Sequence, residues 1–435
     1  MLCVGAALLV VGCRTTKPVA ADVDAVGNAS PPGSRLTGVP VDLGAPDVVN
    51  RRDFVYAVTF DAAGDELAFV HHVSTHMELT VTGLRPLAPR FQEKVNASEF
   101  DIEDLIFVGE GIVVPSRQGT LKVLARDDGH KIRELVTGES LLRVASSPDG
   151  AVLAVSTAAG RVLLVDAASL SLRGEARIHD DEIRGLAFLP DGRLLTASQD
   201  GLLRSSRVGP ASQPVAHLAT QALSSGDRAF LAHIDGVRAV STVRDARLPT
   251  TVISRAAVKR LGLTTRADGA TLTVATAEGT EQLPAVDVGA LHLRTLHLGG
   301  VVAALCDSCV PNGAELVLGQ DILARAVFAE DVAHDEYVVR PVGEAADGAR
   351  LVEGALAVAV EHTLSLPGPA TDLDVAPNAT DGPAVLVAFS AARAERSFEL
   401  HDAERKGRYP PSSPQSGAAF VDLGGFTLGR RFVDG

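Results

Sequence analysis

A strand–turn–strand unit that returns about every forty residues constrains this chain most, because such a period selects repeat architectures. Phe54–Phe60 reads as a strand, Asp61-Ala62-Ala63-Gly64 as a turn and Glu66–Val70 as a second strand. The pattern returns at Leu142–Ser146, Ser147-Pro148-Asp149-Gly150 and Val152–Val155. It returns again at Ile183–Phe188, Leu189-Pro190-Asp191-Gly192 and Leu194–Ala197. Proline presets one turn dihedral and glycine supplies positive φ, so each turn has a physical cause. Third strands follow at Gly160–Asp166 and Asp200–Ser205. About four units fit before Val208, and propellers close with roughly four to eight. A late stretch, Thr371–Asn378, Ala384–Phe389 and Ser397–Asp402, has the same grammar. Two arrangements fit it: a propeller closed by the C-terminal segment around an inserted domain, or two separate β modules.

Over Asp53–Val208 these units resemble the WD-repeat β-propeller family, although the Gly-His and Trp-Asp signatures are missing. The resemblance implies scaffolding or partner binding more than chemistry. Trp is absent altogether, so valine, leucine and alanine must fill the cores. The 435 residues suffice for two or three domains. A formal net charge of −14 argues against nucleic-acid binding, which needs clustered Lys and Arg.

The N-terminus reads as an address. Leu2–Gly12 is almost wholly apolar, too short for an ordinary spanning helix, and ends at Cys13. Val10-Val11-Gly12-Cys13 resembles a bacterial lipobox, which implies lipidation of Cys13 after cleavage. No Lys or Arg precedes the run, so the natural signal is expected to start earlier; the alternative is a buried apolar strand. Arg14 is unlike the Asp of an inner-membrane retention signal, which points to the outer membrane facing the periplasm. Residues 14–50 are rich in Ala, Pro, Gly, Ser and Asp and read as a tether.

The middle of the chain carries more specific chemistry. Ile234–Val243 reads as a hairpin around Asp235-Gly236. Arg244-Asp245-Ala246-Arg247 leads into Thr251-Val252-Ile253-Ser254, then a short helix over Arg255–Leu261 stopped by Gly262. Further strands are expected at Thr271–Ala277, Gln282–Val286, Leu291–Leu293 and His297–Leu305, before Leu318-Gly319-Gln320-Asp321-Ile322-Leu323. This ordered set resembles the retropepsin-like aspartic protease family over about Phe230–Pro341. The resemblance places Asp245 on the catalytic aspartate and the Ala275–Pro284 hairpin on the substrate-covering flap. It implies that two chains pair, each contributing one aspartate. Two carboxylates in contact share one proton; the ionised one activates water and the protonated one polarises the peptide carbonyl.

The family's Asp-Thr-Gly is Asp245-Ala246-Arg247 here. Ala246 lacks the hydroxyl that ties the two catalytic loops together. Arg247 replaces a glycine and, with Arg244, favours ionised Asp245 over a shared proton. Asp245 is therefore either a catalyst or an ion-paired turn residue in a domain that does not cleave. Asp374 reads better as a blade residue than as a second catalytic aspartate, and Asp321 as a surface residue beside a packed Gly319.

Cys306 and Cys309 have redox or zinc spacing, but no second ligand pair accompanies them. A small loop-closing disulfide is expected in an oxidising envelope. The histidines at 71, 72 and 76 read as exposed strand residues and His179-Asp180-Asp181 as a solvated turn, so neither metal nor cofactor is expected. The expected fold is all-β: propeller-like repeats plus a retropepsin-like acid-protease β-barrel. Its expected organisation is a lipoprotein-type signal over 1–13, a linker over 14–50 and blades over 51–225. A retropepsin-like domain follows over 226–345, then a C-terminal β segment with blade-like grammar over 346–435. The expected function is an envelope-anchored protein with a degenerate protease-like domain and a propeller that binds a protein or peptide partner. The alternative is an active aspartic endopeptidase working as a homodimer through Asp245.

Overall fold

The computed structural model describes residues 55–61, 63–73, 76–84, 87–96, 102–212, 215–276, 279–342, 349–376, 384–389, 417–423 and 426–433. The signal, Cys13, the tether and Ser397–Asp402 lie outside them.

Four-stranded antiparallel sheets follow one another along the chain. The first is β1 (Val55–Phe60), β2 (Glu66–Val73), β3 (His76–Leu84) and β4 (Leu87–Asn96). The second is β5 (Ile106–Val108), β6 (Gly111–Pro115), β7 (Thr120–Ala125) and β8 (Lys131–Val136). The third is β9 (Leu141–Ser146), β10 (Val152–Thr157), β11 (Arg161–Asp166) and β12 (Leu172–Arg177). The fourth begins with β13 (Ile183–Phe188), β14 (Arg193–Ser198) and β15 (Leu202–Pro210). Gly150 and Gly192 sit at φ of 70° and 83°, the left-handed turn geometry that the repeated Pro-Asp-Gly requires.

After Pro210 the chain leaves this sheet. It forms β16 (Ala216–Ala222), β17 (Arg228–Ile234), β18 (Arg238–Arg244), β19 (Val252–Ile253), α1 (Arg255–Leu261), β20 (Thr271–Thr276), β21 (Gly279–Leu293) and β22 (Leu296–Leu305). β23 (Leu316–Leu318), α2 (Gln320–Leu323), β24 (Ala326–Asp331), β25 (Glu336–Pro341) and β26 (Arg350–Leu351) complete an 11-stranded mixed sheet. β27 (Leu356–Ser365) then returns to the fourth four-stranded sheet and pairs with β15, from Leu202 opposite Ser365 to Pro210 opposite Leu356. A fifth four-stranded sheet follows: β28 (Ala370–Ala376), β29 (Ala384–Phe389), β30 (Gly417–Asp422) and β31 (Thr427–Val433).

The larger sheet thus interrupts one four-stranded unit between its third and fourth strands. Its strands run from Ala216 to Leu351, wider than the expected 226–345, because β16 pairs with β17 and β25 and β26 pairs with β22. Sequence grammar could not place β16, since an outer blade strand and an edge strand alternate alike.

Successive four-stranded sheets pack face to face, which makes the repeats propeller-like. Val70, Leu79 and Val81 of the first meet Ile112 and Val114 of the second. Leu121 and Leu135 meet Leu153 and Leu163, and Leu164 meets Leu186 and Leu194. Leu195 and Leu203 meet Val385, Val387 and Val421 of the fifth. Polar ties cross the inner strands: Asp104 Oδ2 accepts the Val144 amide at 2.9 Å, and Arg143 Nε donates to the Arg184 carbonyl at 2.7 Å. Burial pushes the Asp104 carboxyl up to about 6.

The fourth and fifth sheets touch at Gly185, where an added Cβ would lie 2.3 Å from Leu373 Cβ. Neither atom has a rotamer to escape with. Gly185→Ala is therefore expected to destabilise the protein by about 1–3 kcal/mol, read from the midpoint of a urea unfolding curve.

Candidate functional site

Asp245 follows β18 directly. Its amide donates to the Leu318 carbonyl at 3.0 Å, which continues the parallel pairing of β18 with β23. The loop after it is stitched to the segment after β23. Gln320 donates its amide to the Leu248 carbonyl (2.8 Å) and its side chain to the Ala246 carbonyl (2.7 Å). Asp321 Oδ1 accepts from the amide and the hydroxyl of Thr251 at 2.9 and 2.8 Å, and Thr251 Oγ1 accepts the Gly319 amide at 3.1 Å. Gly319 lies so close that an added Cβ would stand 2.5 Å from the Thr250 carbonyl carbon. Asp321 is exposed, as expected, but its carboxylate holds this loop. Beyond it Ser254 caps α1, its side chain accepting the Ala257 amide, and Gly262 ends the helix in the left-handed region.

Arg247 closes over Asp245 as a fork. Its Nε lies 2.9 Å from Oδ1 and its Nη2 2.8 Å from Oδ2, and its own amide donates to Oδ1 at 2.9 Å. The Arg247 hydrogen bonds hold the Asp245 carboxyl below the usual carboxylate range, partial burial opposing them. Arg244 does not join this pair. Strand alternation turns it to the other face, where its guanidinium carbon lies 4.4 Å from the centroid of the Tyr337 ring. Asp374 lies in the fifth four-stranded sheet, exposed on β28, so it is not brought to Asp245.

Cys306 and Cys309 are joined by a disulfide with their Cα atoms 5.4 Å apart. The Cys306 amide donates to the Ile253 carbonyl and Asp307 accepts the Arg255 amide, so this loop braces the start of α1. Two histidine readings need correction. His179 is 1% exposed rather than solvated, bridging Asp200 Oδ2 (2.9 Å) and Thr196 Oγ1 (2.8 Å). His71 is buried against Thr80 Oγ1 at 3.2 Å. Thr80 of the paired strand β3 faces the His71 ring, while the His179 ring, between β12 and β13, is held by Thr196 of β14 and by Asp200. Among the described residues, Asp127, Asp128 and His130 are grouped closely enough to share a cation, as are Asp331, His334 and Glu336. No helix among them is long and apolar enough to cross a membrane.

A second constellation escaped sequence reasoning. Glu139, Arg161, Glu175 and Arg177 of the propeller side meet Arg294, Glu336 and His217 of the larger sheet. Arg161 pairs with Glu336, and Arg294 with Glu139. Arg161 stands 3.8 Å from both Glu139 and Glu175, and Arg177 stands 3.6 Å from Glu336. The His217 amide donates to Glu175 at 2.6 Å, while its ring Nδ1 lies 2.8 Å from Glu336 Oε1. Burial, with Arg161 and Arg177 nearby, presses the His217 ring down to about 4; burial raises Glu175. Each member looks locally like an ordinary solvated charge of a strand or turn, so no spacing signals the group.

No family model and no curated protein matches this chain. Among solved structures, it is similar to BamB from Moraxella catarrhalis at 13% identity, over 78% of this chain and 81% of that one, with a TM-score of 0.32. It is also similar to a chain of a Mitotic Checkpoint Complex (13% identity, 68% and 79% covered, TM-score 0.33) and to the computationally designed Ika4 protein (17%, 36% and 93%, 0.32). At these scores the likenesses carry no argument; the propeller-like reading rests on the sheets themselves.

Removing one member of the buried ion group strands its partners in a low-dielectric site. Arg294→Ala is expected to cost about 3–5 kcal/mol, measured by chemical denaturation at pH 7.

Proposed function

We propose that this is an envelope-anchored binding protein, held by lipid on Cys13, in which a propeller presents a retropepsin-like domain that does not cleave. The observation that carries this reading is the Arg247 fork on Asp245. A catalytic aspartate of this type must hold a proton jointly with a second carboxylate. Here both oxygens face an arginine that favours the ionised form. The pair is exposed on the arginine side, with 89% of that side chain open to solvent, so it contributes little to stability. Its effect is on protonation. The protease-like shape is supported by the path β17-β18-β23-β19-β22-β21, which returns on itself through the pairing of β21 with β17. That return suits a barrel.

One observation favours a second reading, an aspartic endopeptidase that pairs two copies through Asp245. The Asp245 loop is rigidly tied to the 318–321 segment, the preorganisation a catalytic loop needs. The two readings separate in a cleavage assay at acid pH over a broad peptide library, with Asp245→Asn and a pepstatin-type inhibitor as controls. The binding protein is expected to show no cleavage that either control removes. Cleavage abolished by Asp245→Asn would establish the peptidase instead.

A further inference from the structure

Three histidines stand in one row across the larger sheet, apart from the Asp245 loop. His233 on β17 is opposite His292 on β21, and His292 is opposite His297 on β22. The hairpin that carries the last two turns on Arg294 and Thr295, between the paired Leu293 and Leu296. Arg294 has the positive φ, 56°, that such a turn requires. In a two-residue hairpin the pair flanking the turn exchanges the backbone hydrogen bonds. The next pair outward therefore has the closer side chains, and here it is His292 and His297.

The two rings meet nitrogen to nitrogen. Their planes are 80° apart, and His292 Nε2 lies 3.2 Å from His297 Nδ1. Both residues are half-buried. Two imidazole nitrogens on one zinc ion, each about 2.0–2.1 Å from it, stand about 3.3 Å apart at the tetrahedral angle and about 2.9 Å apart at a right angle. The observed spacing is close to the tetrahedral value.

We propose that His292 and His297 are two ligands of a zinc site on the β21–β22 hairpin, whose remaining positions are open to water or to a donor from outside the chain.

The outer nitrogens suit that role. A ligating histidine keeps its proton on the nitrogen away from the metal, where a carboxylate or carbonyl orients it. His292 Nδ1 turns towards the Asp235-Gly236 turn, 3.5 Å from where a Cβ on Gly236 would stand, and the Asp235 carboxylate acts on this ring. His297 Nε2 lies 3.2 Å from where a Cβ on Gly299 would stand, so a side chain there would crowd the ring. Burial is the first cause that lowers both histidines, which leaves them neutral at pH 7 with lone pairs to give.

His233 does not complete the set, because its ring is buried with Nε2 2.7 Å from the Val136 carbonyl. Charge around the site is mixed. Arg325 and Arg350 act on His297 and oppose a cation, whereas Asp235 favours one. Nitrogen donation rather than net charge must hold the ion, which selects a transition metal over magnesium or calcium. The near-tetrahedral spacing selects zinc over square-planar copper or nickel.

Calorimetric titration of the metal-free full chain with Zn2+ at pH 7.5 tests this, with Co2+ as a spectroscopic substitute. Wild type is expected to take up one equivalent more than His292→Gln/His297→Gln. Its Co2+ form is expected to show the intense visible bands of tetrahedral coordination. His297→Gln alone is expected to weaken this binding on the order of 10–100-fold, the loss that even an outer-shell change brings. The groups at Asp127, Asp128 and His130 and at Asp331, His334 and Glu336 stay in every variant, so any uptake they give is common to all. Equal uptake and affinity in wild type and the double variant would overturn the site and leave the rings a hydrogen-bonded pair. Should the double variant lose its far-UV dichroism, the single variants carry the comparison. A wild-type chain without the tetrahedral Co2+ bands overturns the site whatever the variants do.

Discussion

Three glutamates and two arginines buried between the propeller-like sheets and the larger sheet, with Arg177 half-buried beside them, set how the two bodies meet. Burying charge is costly, and paired charges of this kind seldom add net stability over an apolar core. They do impose register. Arg161 at 1% exposure and Glu336 at 2% meet in one orientation of the two bodies. An apolar seam of alanine and valine would tolerate sliding. The group thus helps to orient a large insertion that meets the propeller-like sheets also through Leu231, packed on Gly138, and His233 on the Val136 carbonyl.

That orientation matters because of where Asp245 lies. The Asp235-Gly236 turn at the start of β18 sits near Ser171 of the third four-stranded sheet. Asp245 lies at the other end of the seven-residue strand, roughly 23 Å away at about 3.3 Å per residue. The Asp245 loop is therefore carried outward from the junction.

Legibility in the sequence followed locality. The turns at Gly150 and Gly192, the Asp235-Gly236 hairpin, and the Ser254 and Gly262 caps were readable because one or two residues dictate each backbone angle. The disulfide between Cys306 and Cys309 followed from the lack of a second ligand pair and an expected oxidising envelope, since the spacing by itself also suits redox or zinc chemistry. What could not be read depends on partners far apart in the chain. β27 completes a sheet begun at Ile183, after the whole insertion has intervened. His179 looked solvated because Asp200 and Thr196 come later and face it only after folding. The ion group draws on positions from Glu139 to Glu336, each ordinary in its own segment.

The functional account turns on the proton that Asp245 does or does not hold, and this can be observed directly. Carbon-13 NMR of the side-chain carboxyl, with Asp245→Asn to assign the signal, gives its titration. The account predicts a single step below the ordinary value of 3.8, moving upward when Arg247 is replaced by alanine. A step above 3.8, or a biphasic curve that marks a proton shared with a second carboxylate, would contradict it.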